Sequence, residues 1–558
     1  MMSDKARNPI AFWLAFFICA ALLVAPIVAN SDFPFIDLHN HLARHYIATN
    51  LDNPWISEFY DYQHVALGNS SVDNLRALLA GWVPAEHIQR LALGIYIINY
   101  MFSVCCLARV IWGRWKIWAL AAGLVAYNGN VFMGFENYVF ATPFILYALS
   151  IQIALQKSDI RLRLGWLFMS VALISLMHYF AVILLGIILF VLKIVELFEE
   201  PRPQRLAFFK REIWLALPFL FLILAIIYSK STEGDIPTLF NGYSGLEGFA
   251  GNLTSLVSGI ALKFWVDLKA GFAFEDIAIL GFVLIFPFIL SKFGRLEFKA
   301  AYKIPLLLLL YVAILMPDYV YDAAFLNIRL PFLLVAIFFA VTSPIDLKNW
   351  QKQLIILVII GLTAAQSWGV HREAAKHSQS INDLKLALEH LPVGAKVLPL
   401  VRSEFPYTHQ TFQINTAFDH IYSYAVVERQ AFIPTLFKSH GLDINPKMQV
   451  SAPQVASVAI EVSQFQKNPA TGQYDIQRSI VPGDTFGIPD LSEVGHDEEW
   501  YSRNFSYTEN WKSKFTHAIL VSSTPDHAQL KNSGLVLIES RGLFHIFEIS
   551  KAAALEPE

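Results

Sequence analysis

Long apolar stretches separated by short polar breaks fill the first two thirds of the chain. About 20 apolar residues suffice to carry a helix across a bilayer. Stretches near that length recur at 10–30, 88–110, 117–134, 137–156, 164–178, 179–197, 212–230, 274–292, 303–317, 328–343 and 351–369. The pattern therefore predicts about eleven membrane-spanning helices. The tract from Leu164 to Phe198 is too long for one span and reads as two short helices meeting at His178 and Tyr179. The first stretch resembles a signal peptide in its basic start (Lys5, Arg7), but the many spans behind it favour a retained anchor.

The pattern changes after residue 369. HREAAKHSQSINDLKLALEHL has helical apolar spacing and stops before Pro392. AKVLPLV, HAILVSS, GLVLIES and FHIFEIS are β-branched, apolar runs that predict strands. PDHAQLKNSG predicts a short helix closed by Gly534. The expected fold is thus a polytopic α-helical membrane protein with a C-terminal soluble α/β domain. Residues 1–369 form the transmembrane helical bundle, with outer loops 31–87 and 231–273, and residues 370–558 form the extracytoplasmic α/β domain. The loop 31–87 carries Trp55, Phe59, Tyr60, Tyr62 and Trp82, which suit an interfacial aromatic belt or a groove for a sugar or acyl chain.

Composition agrees with a membrane protein: 55% of residues are hydrophobic and 16% charged, against about 25% charged in a soluble domain. Lys and Arg gather on alternate loops, among them Arg109, Arg114 and Lys116, then Lys157, Arg161 and Arg163, then Lys292, Arg295 and Lys299. The positive-inside rule puts these loops and the N-terminus in the cytoplasm and the tail outside. A net charge of -3 gives no reason to expect a nucleic-acid partner. The three cysteines, Cys19, Cys105 and Cys106, all lie in apolar segments and imply no disulfide framework.

Chemistry concentrates in FIDLHNHLAR, just beyond the first span. Asp-x-His-x-His occurs at metal sites of amidohydrolases and PHP-type phosphoesterases, but there it ends a barrel strand, and here a membrane span precedes it. As a helix over 37–47, the same residues place Asp37 at the cap and His41, Arg44 and His45 on one face. Asp37 could then orient His41, with Arg44 one turn on to grip a phosphate. Other unusual polar residues fall on the same side of the expected bilayer: Glu136 and Asn137, His178 and Tyr179, then Asp318, Asp322 and Arg329. Each has a plain structural reading, as a helix-terminal acid, a satisfied core histidine or an interfacial anchor. Their gathering on one face favours a site, because ionisable groups at membrane depth are expensive. A carboxylate there can take a proton from an acceptor hydroxyl, while Arg and His stabilise a leaving phosphate. No nucleotide-binding fingerprint is present.

These features resemble the GT-C superfamily of bacterial integral-membrane glycosyltransferases. The likeness lies in the acidic first outer loop SDFPFIDLHNHLARHYI, the GFENYVFATPF segment, MHYF, LNIRLPF and the layout with an outer domain; YAVVERQAFIPTLF in the tail is similar to membrane proteins of this type. The resemblance implies Asp37 as base with Asp32 as alternate, His41 beside it, and Arg44, His178 and Arg329 on the donor phosphate. His39, Glu136, Tyr179, Asp318 and Asp322 are further candidates. Better-known members carry an adjacent or nearly adjacent acidic pair, whereas Asp32 and Asp37 are five apart. The implied donor is a polyprenyl-phosphate-linked sugar, its tail in membrane lipid. The implied acceptor is an envelope glycan, lipid or protein, and there is room for a divalent cation at the phosphate. The implied location is the bacterial inner membrane. The alternative is a transporter or lipid flippase, which would need a polar route through the bilayer, and a scaffold protein is a third reading.

Overall fold

The first helix, α1 (Asp4–Ala29), is apolar nearly throughout and packs against α4 (Ala85–Trp112) and α10 (Asn349–Leu388). A computed structural model of the protein describes residues 4–231, 260, 274–316, 326–401, 420–436, 442–444, 460–461, 465–467, 474–476, 511–522, 530–531 and 534–550. Asp318, Asp322 and nearly all of the expected outer loop 231–273 lie outside them. Between α1 and α4 come three short helices: α2 (Leu38–Thr49), the six-residue Pro54–Phe59, and α3 (Ser71–Leu78). The bundle continues with α5 (Glu136–Ala154), α6 (Ile160–Ser175), α7 (Tyr179–Glu199), α8 (Lys303–Leu315) and α9 (Arg329–Val341).

Among the described residues, five helices are long and apolar enough to cross a membrane: α1 from Pro9, α4, α5, α7 and α10. The other expected spans are shorter or broken. The stretch 117–134 is no regular span but a 3-10 run, Ile117–Val125, followed by a single turn at Gly129–Phe132. Its residues from Trp118 to Val125 are all buried inside the bundle, with Ala119, Ala121, Ala122 and Gly123 among them. A Cβ on Gly123 would lie 3.4 Å from Met101 Sδ and 3.5 Å from Leu23. The 164–198 tract does divide where its length requires. α6 ends at Ser175, α7 starts at Tyr179, and the His178 ring caps α7 by accepting the Phe180 amide at 3.1 Å.

Basic side chains tie the bundle together at the far ends of α4 and α7. Arg163 forks onto Glu212 at 2.8 and 2.7 Å, and Lys116 donates to Ser343 at 2.9 Å. α4 has 28 residues, so its two ends stand roughly 40 Å apart at 1.5 Å per residue. These ties are therefore well removed from the site described below.

The tail builds a mixed sheet from β1 (Val397–Val401), β2 (Ile460–Glu461), β3 (His517–Val521), β4 (Leu535–Arg541) and β5 (Phe544–Ile549). Their order is β4-β5-β3-β1-β2; β1 runs parallel to β2 and β3, and the β3–β5 and β5–β4 pairs are antiparallel. The four strands expected from the apolar runs are β1, β3, β4 and β5. Only Leu530 and Lys531 of the expected short helix are described, and Gly534 beyond it has φ +86°.

No break falls at residue 369. α10 runs unbroken for 40 residues, roughly 60 Å, about twice the hydrocarbon thickness, and its upper half packs against β4 and β5. The tail's core is also shared with the loop 31–87. Leu42, Ile47, Phe59 and Tyr60 cluster with Leu384, Val397, Phe432 and Phe544. Tyr60–Tyr62 pairs antiparallel with Leu442–Ile444. Phe59, Tyr60 and Tyr62 are thus core residues, while Trp55 and Trp82 stay exposed. Expressed alone, residues 370–558 should aggregate, since severing them from α2 uncovers that apolar surface. A soluble, cooperatively melting fragment would show that the tail needs no support from the loop.

Candidate active site

The approach to α2 is held by backbone bonds. Ile36 N donates to Phe132 O at 3.0 Å and Asp37 N to Met133 O at 3.2 Å. Next to them Gly134 has φ +81°, and a Cβ there would fall 2.8 Å from Asp37 N and 2.9 Å from Asp37 Cβ. Only glycine satisfies both the backbone angle and the close approach. Gly134→Ala should therefore lower stability by about 1–3 kcal/mol, read as a lower melting midpoint of the purified protein. An unchanged midpoint would show that the turn yields freely.

Asp37 does not cap α2 with its side chain. Its own backbone is helical, φ -81° and ψ -6°, which keeps the carboxylate from folding back onto the first amides. Only its carbonyl is used, accepting from His41 N at 3.0 Å. The carboxylate instead faces His420, whose Nε2 lies 3.6 Å from Oδ1, and its side chain keeps 18% of its exposure. It also acts electrostatically on Arg329.

Arg329 opens α9. Its guanidinium sits over Phe135, Tyr138 and Phe180 at 4.6, 5.2 and 5.6 Å from the ring centres, an arrangement that favours a cation. Its Nη1 lies 3.2 Å from His178 Nε2. Residues 178 and 329, far apart in sequence, thus meet within reach of the Asp37 charge. Tyr179 packs its ring on Gly68 and donates its amide to Gly68 O at 2.7 Å.

The helical face foreseen on α2 exists, and its focus is Glu136. His41 Nδ1, Arg44 Nη2 and His45 Nε2 lie 3.6, 3.7 and 3.8 Å from Glu136 Oε1. Glu136 Oε2 accepts from Gln89 at 3.3 Å, and Gln89 also donates to Leu38 O at 2.8 Å. Arg44 is committed elsewhere, with Nε and Nη2 donating to the two oxygens of Asp73 at 3.1 and 2.9 Å, both residues almost wholly buried. Burial opposes the Arg44 charge, yet Asp73 and Glu136 together hold its pKa above the ordinary value. Burial pushes the His45 imidazole down, more than its contact with Asp73 lifts it.

Asp32 and His39 take part in joining the tail. Tyr424, on α11 (Tyr424–Arg429), donates to Asp32 Oδ1 at 2.5 Å, and Ser31 donates to Oδ2. Burial, then the Asp32 charge, push the Tyr424 hydroxyl well above its usual pKa, so it remains a donor. His39 Nε2 lies 3.0 Å from Nε2 of His377 on α10, with the rings stacked. His39 and His41 therefore turn to different partners, and among the described residues no group of three or more His, Cys, Asp or Glu could hold a metal ion.

Asp73, Gln89, His377, His420 and Tyr424 were not singled out from sequence. Only Tyr424 had a signal, as the first residue of YAVVERQAF; the others carry no local pattern. No family model matches the chain, and no curated protein does. Among solved structures the chain is similar to ArnT from Cupriavidus metallidurans in the apo state, with 11% identity, full coverage of both chains and a TM-score of 0.46.

Proposed function

We propose that this protein is a glycosyltransferase of the bacterial inner membrane, moving a sugar from a polyprenyl-phosphate donor to an envelope glycan, lipid or protein acceptor on the outer face. One observation carries the reading: the Asp37 carboxylate, free of capping duty, stands in the field of a buried Arg329 that touches His178 at the head of the bundle. In this reading Asp37 is the proton acceptor, and Arg329 with His178 is the seat for the anion. The acceptor oxygen bonds to the anomeric carbon as its proton passes to Asp37. The bond from that carbon to the phosphate oxygen breaks, and polyprenyl phosphate leaves with the electron pair. Arg329 and His178 stabilise the charge it gains.

The same reading gives other tasks to residues first considered for chemistry. Arg44 positions α2 through Asp73, His41 belongs with Glu136, and Asp32 holds Tyr424 of the tail. In this reading the basic loops face the cytoplasm and the α2 end faces outside. The test compares lipid-linked sugars and envelope glycans by mass spectrometry in parent, deletion and complemented strains. A donor that accumulates in the deletion while one acceptor loses a sugar supports the reading and names both substrates. Unchanged pools refute it and turn attention to transport.

A further inference from the structure

A cavity of about 410 Å³ opens beside α2, within the size range of small-molecule sites. Phe33, Phe35, Leu93, Val139 and Phe140 provide apolar wall, and Gln89 and Glu136 stand among them. Gly134 lines the cavity and also presses on Asp37, so a single residue without a side chain lies between them. The anion seat of Arg329 and His178 is not part of this lining.

The polar groups in the cavity include more hydrogen-bond acceptors than cations. Gln89 uses its amide nitrogen on Leu38 O and Glu136, which leaves its amide oxygen to accept. Glu136 Oε1 is buried and turned toward three α2 side chains within 4 Å, so Gln89 is the acceptor on that wall. The charged lining residues are unbalanced: Asp32, Glu86, Glu136 and Glu428 stand against Arg90 and Lys385. Arg44 near Glu136 is already held by both oxygens of Asp73, Tyr424 and Ser31 serve Asp32, and Lys385 lies 3.7 Å from Glu428. An anionic ligand would meet this excess of carboxylates, whereas a neutral head with hydroxyl donors finds acceptors and an apolar body finds the phenylalanines.

We propose that this cavity is the acceptor subsite and takes a neutral, hydroxyl-bearing amphiphile, a sugar-like head on an apolar body. The acceptor role rests on the transferase reading; the ligand class rests on the cavity alone. Asp37 relates to both: it presses on Gly134, which lines the cavity, and its charge acts on Arg329.

The probe is octyl β-glucoside carrying a diazirine in its alkyl chain, photolysed with the full-length protein in phosphatidylcholine nanodiscs and mapped by peptide mass spectrometry. Labelling is expected at Phe33–Phe35 and Val139–Phe140. Unlabelled octyl glucoside should compete, and octyl phosphate at equal concentration should not. Leu93→Trp, which fills the space from a partly exposed position, should reduce that labelling at least fivefold, and Asp37→Asn should keep it. Label confined to outward-facing Leu91 and Ile98, or equal competition by octyl phosphate, overturns the proposal without touching the transferase reading. Cavity labelling in a protein whose deletion leaves all sugar pools unchanged overturns the acceptor role and leaves a binding site for the amphiphile.

Discussion

Asp37→Asn should lower sugar transfer by about two to four orders of magnitude, the range that a general base contributes. The amide keeps the shape and the hydrogen-bonding reach of the carboxylate but cannot take a proton at neutral pH. Folding should be nearly untouched, with a stability change of about 0.5 kcal/mol or less. The side chain makes no cap, and His420 faces it at 3.6 Å. Donor binding should persist, so lipid-linked sugar should accumulate on the mutant enzyme. Asp32→Asn is the control. Its Oδ1 can still accept from Tyr424, and transfer should stay within a few-fold of the parent. If Asp32→Asn abolishes transfer while Asp37→Asn retains it, the base has been assigned to the wrong carboxylate.

Asp73→Ala should cost about 3–5 kcal/mol, the usual penalty for leaving one half of a buried ion pair uncompensated. Arg44 and Asp73 side chains each keep only 1% of their exposure, and the pair is bidentate. After truncation, Arg44 keeps Glu136 at 3.7 Å, a carboxylate that also faces His41 and His45. The loss should appear as a large drop in melting temperature in detergent. Adding Arg44→Leu to Asp73→Ala should recover much of it, because removing both charges ends the desolvation penalty. Two single mutants whose costs simply add in the double mutant would show that Arg44 and Asp73 are not coupled. Transfer by the stabilised double mutant should remain impaired, since α2 carries Asp37 at its head and the pair holds α2 in place. A displacement of about 1 Å at a reacting group costs on the order of a hundredfold in rate.

Much of the bundle is legible in the sequence because hydropathy and helix periodicity are local properties. The break at His178 follows from the length of its tract, and the common face of His41, Arg44 and His45 follows from 3.6 residues per turn. The stretch 117–134 shows the limit of that logic. Its apolarity is real, but the run is buried from Trp118 to Val125 and follows a 3-10 path instead of a lipid-facing span. The boundary expected near residue 369 falls inside α10, which runs unbroken from Asn349 to Leu388, so the change in hydropathy there marks a change along one helix.

What the sequence determines by itself is the inventory: the apolar helices, the strand-forming runs of the tail, and a short stretch after the first helix rich in acids, histidines and arginine. Partnership was decided only in three dimensions. Arg44 meets Asp73 across 29 residues, His39 meets His377 across 338, and Tyr424 meets Asp32 across 392. Nothing in the local pattern distinguishes the fork of Arg44 on a carboxylate from the same fork on a phosphate. The difference lies in which helix packs against α2, and that is set by burial of the shared core rather than by any residue in FIDLHNHLAR. Side-chain chemistry is written locally, whereas the charge that answers it comes from whichever distant segment the packing brings near.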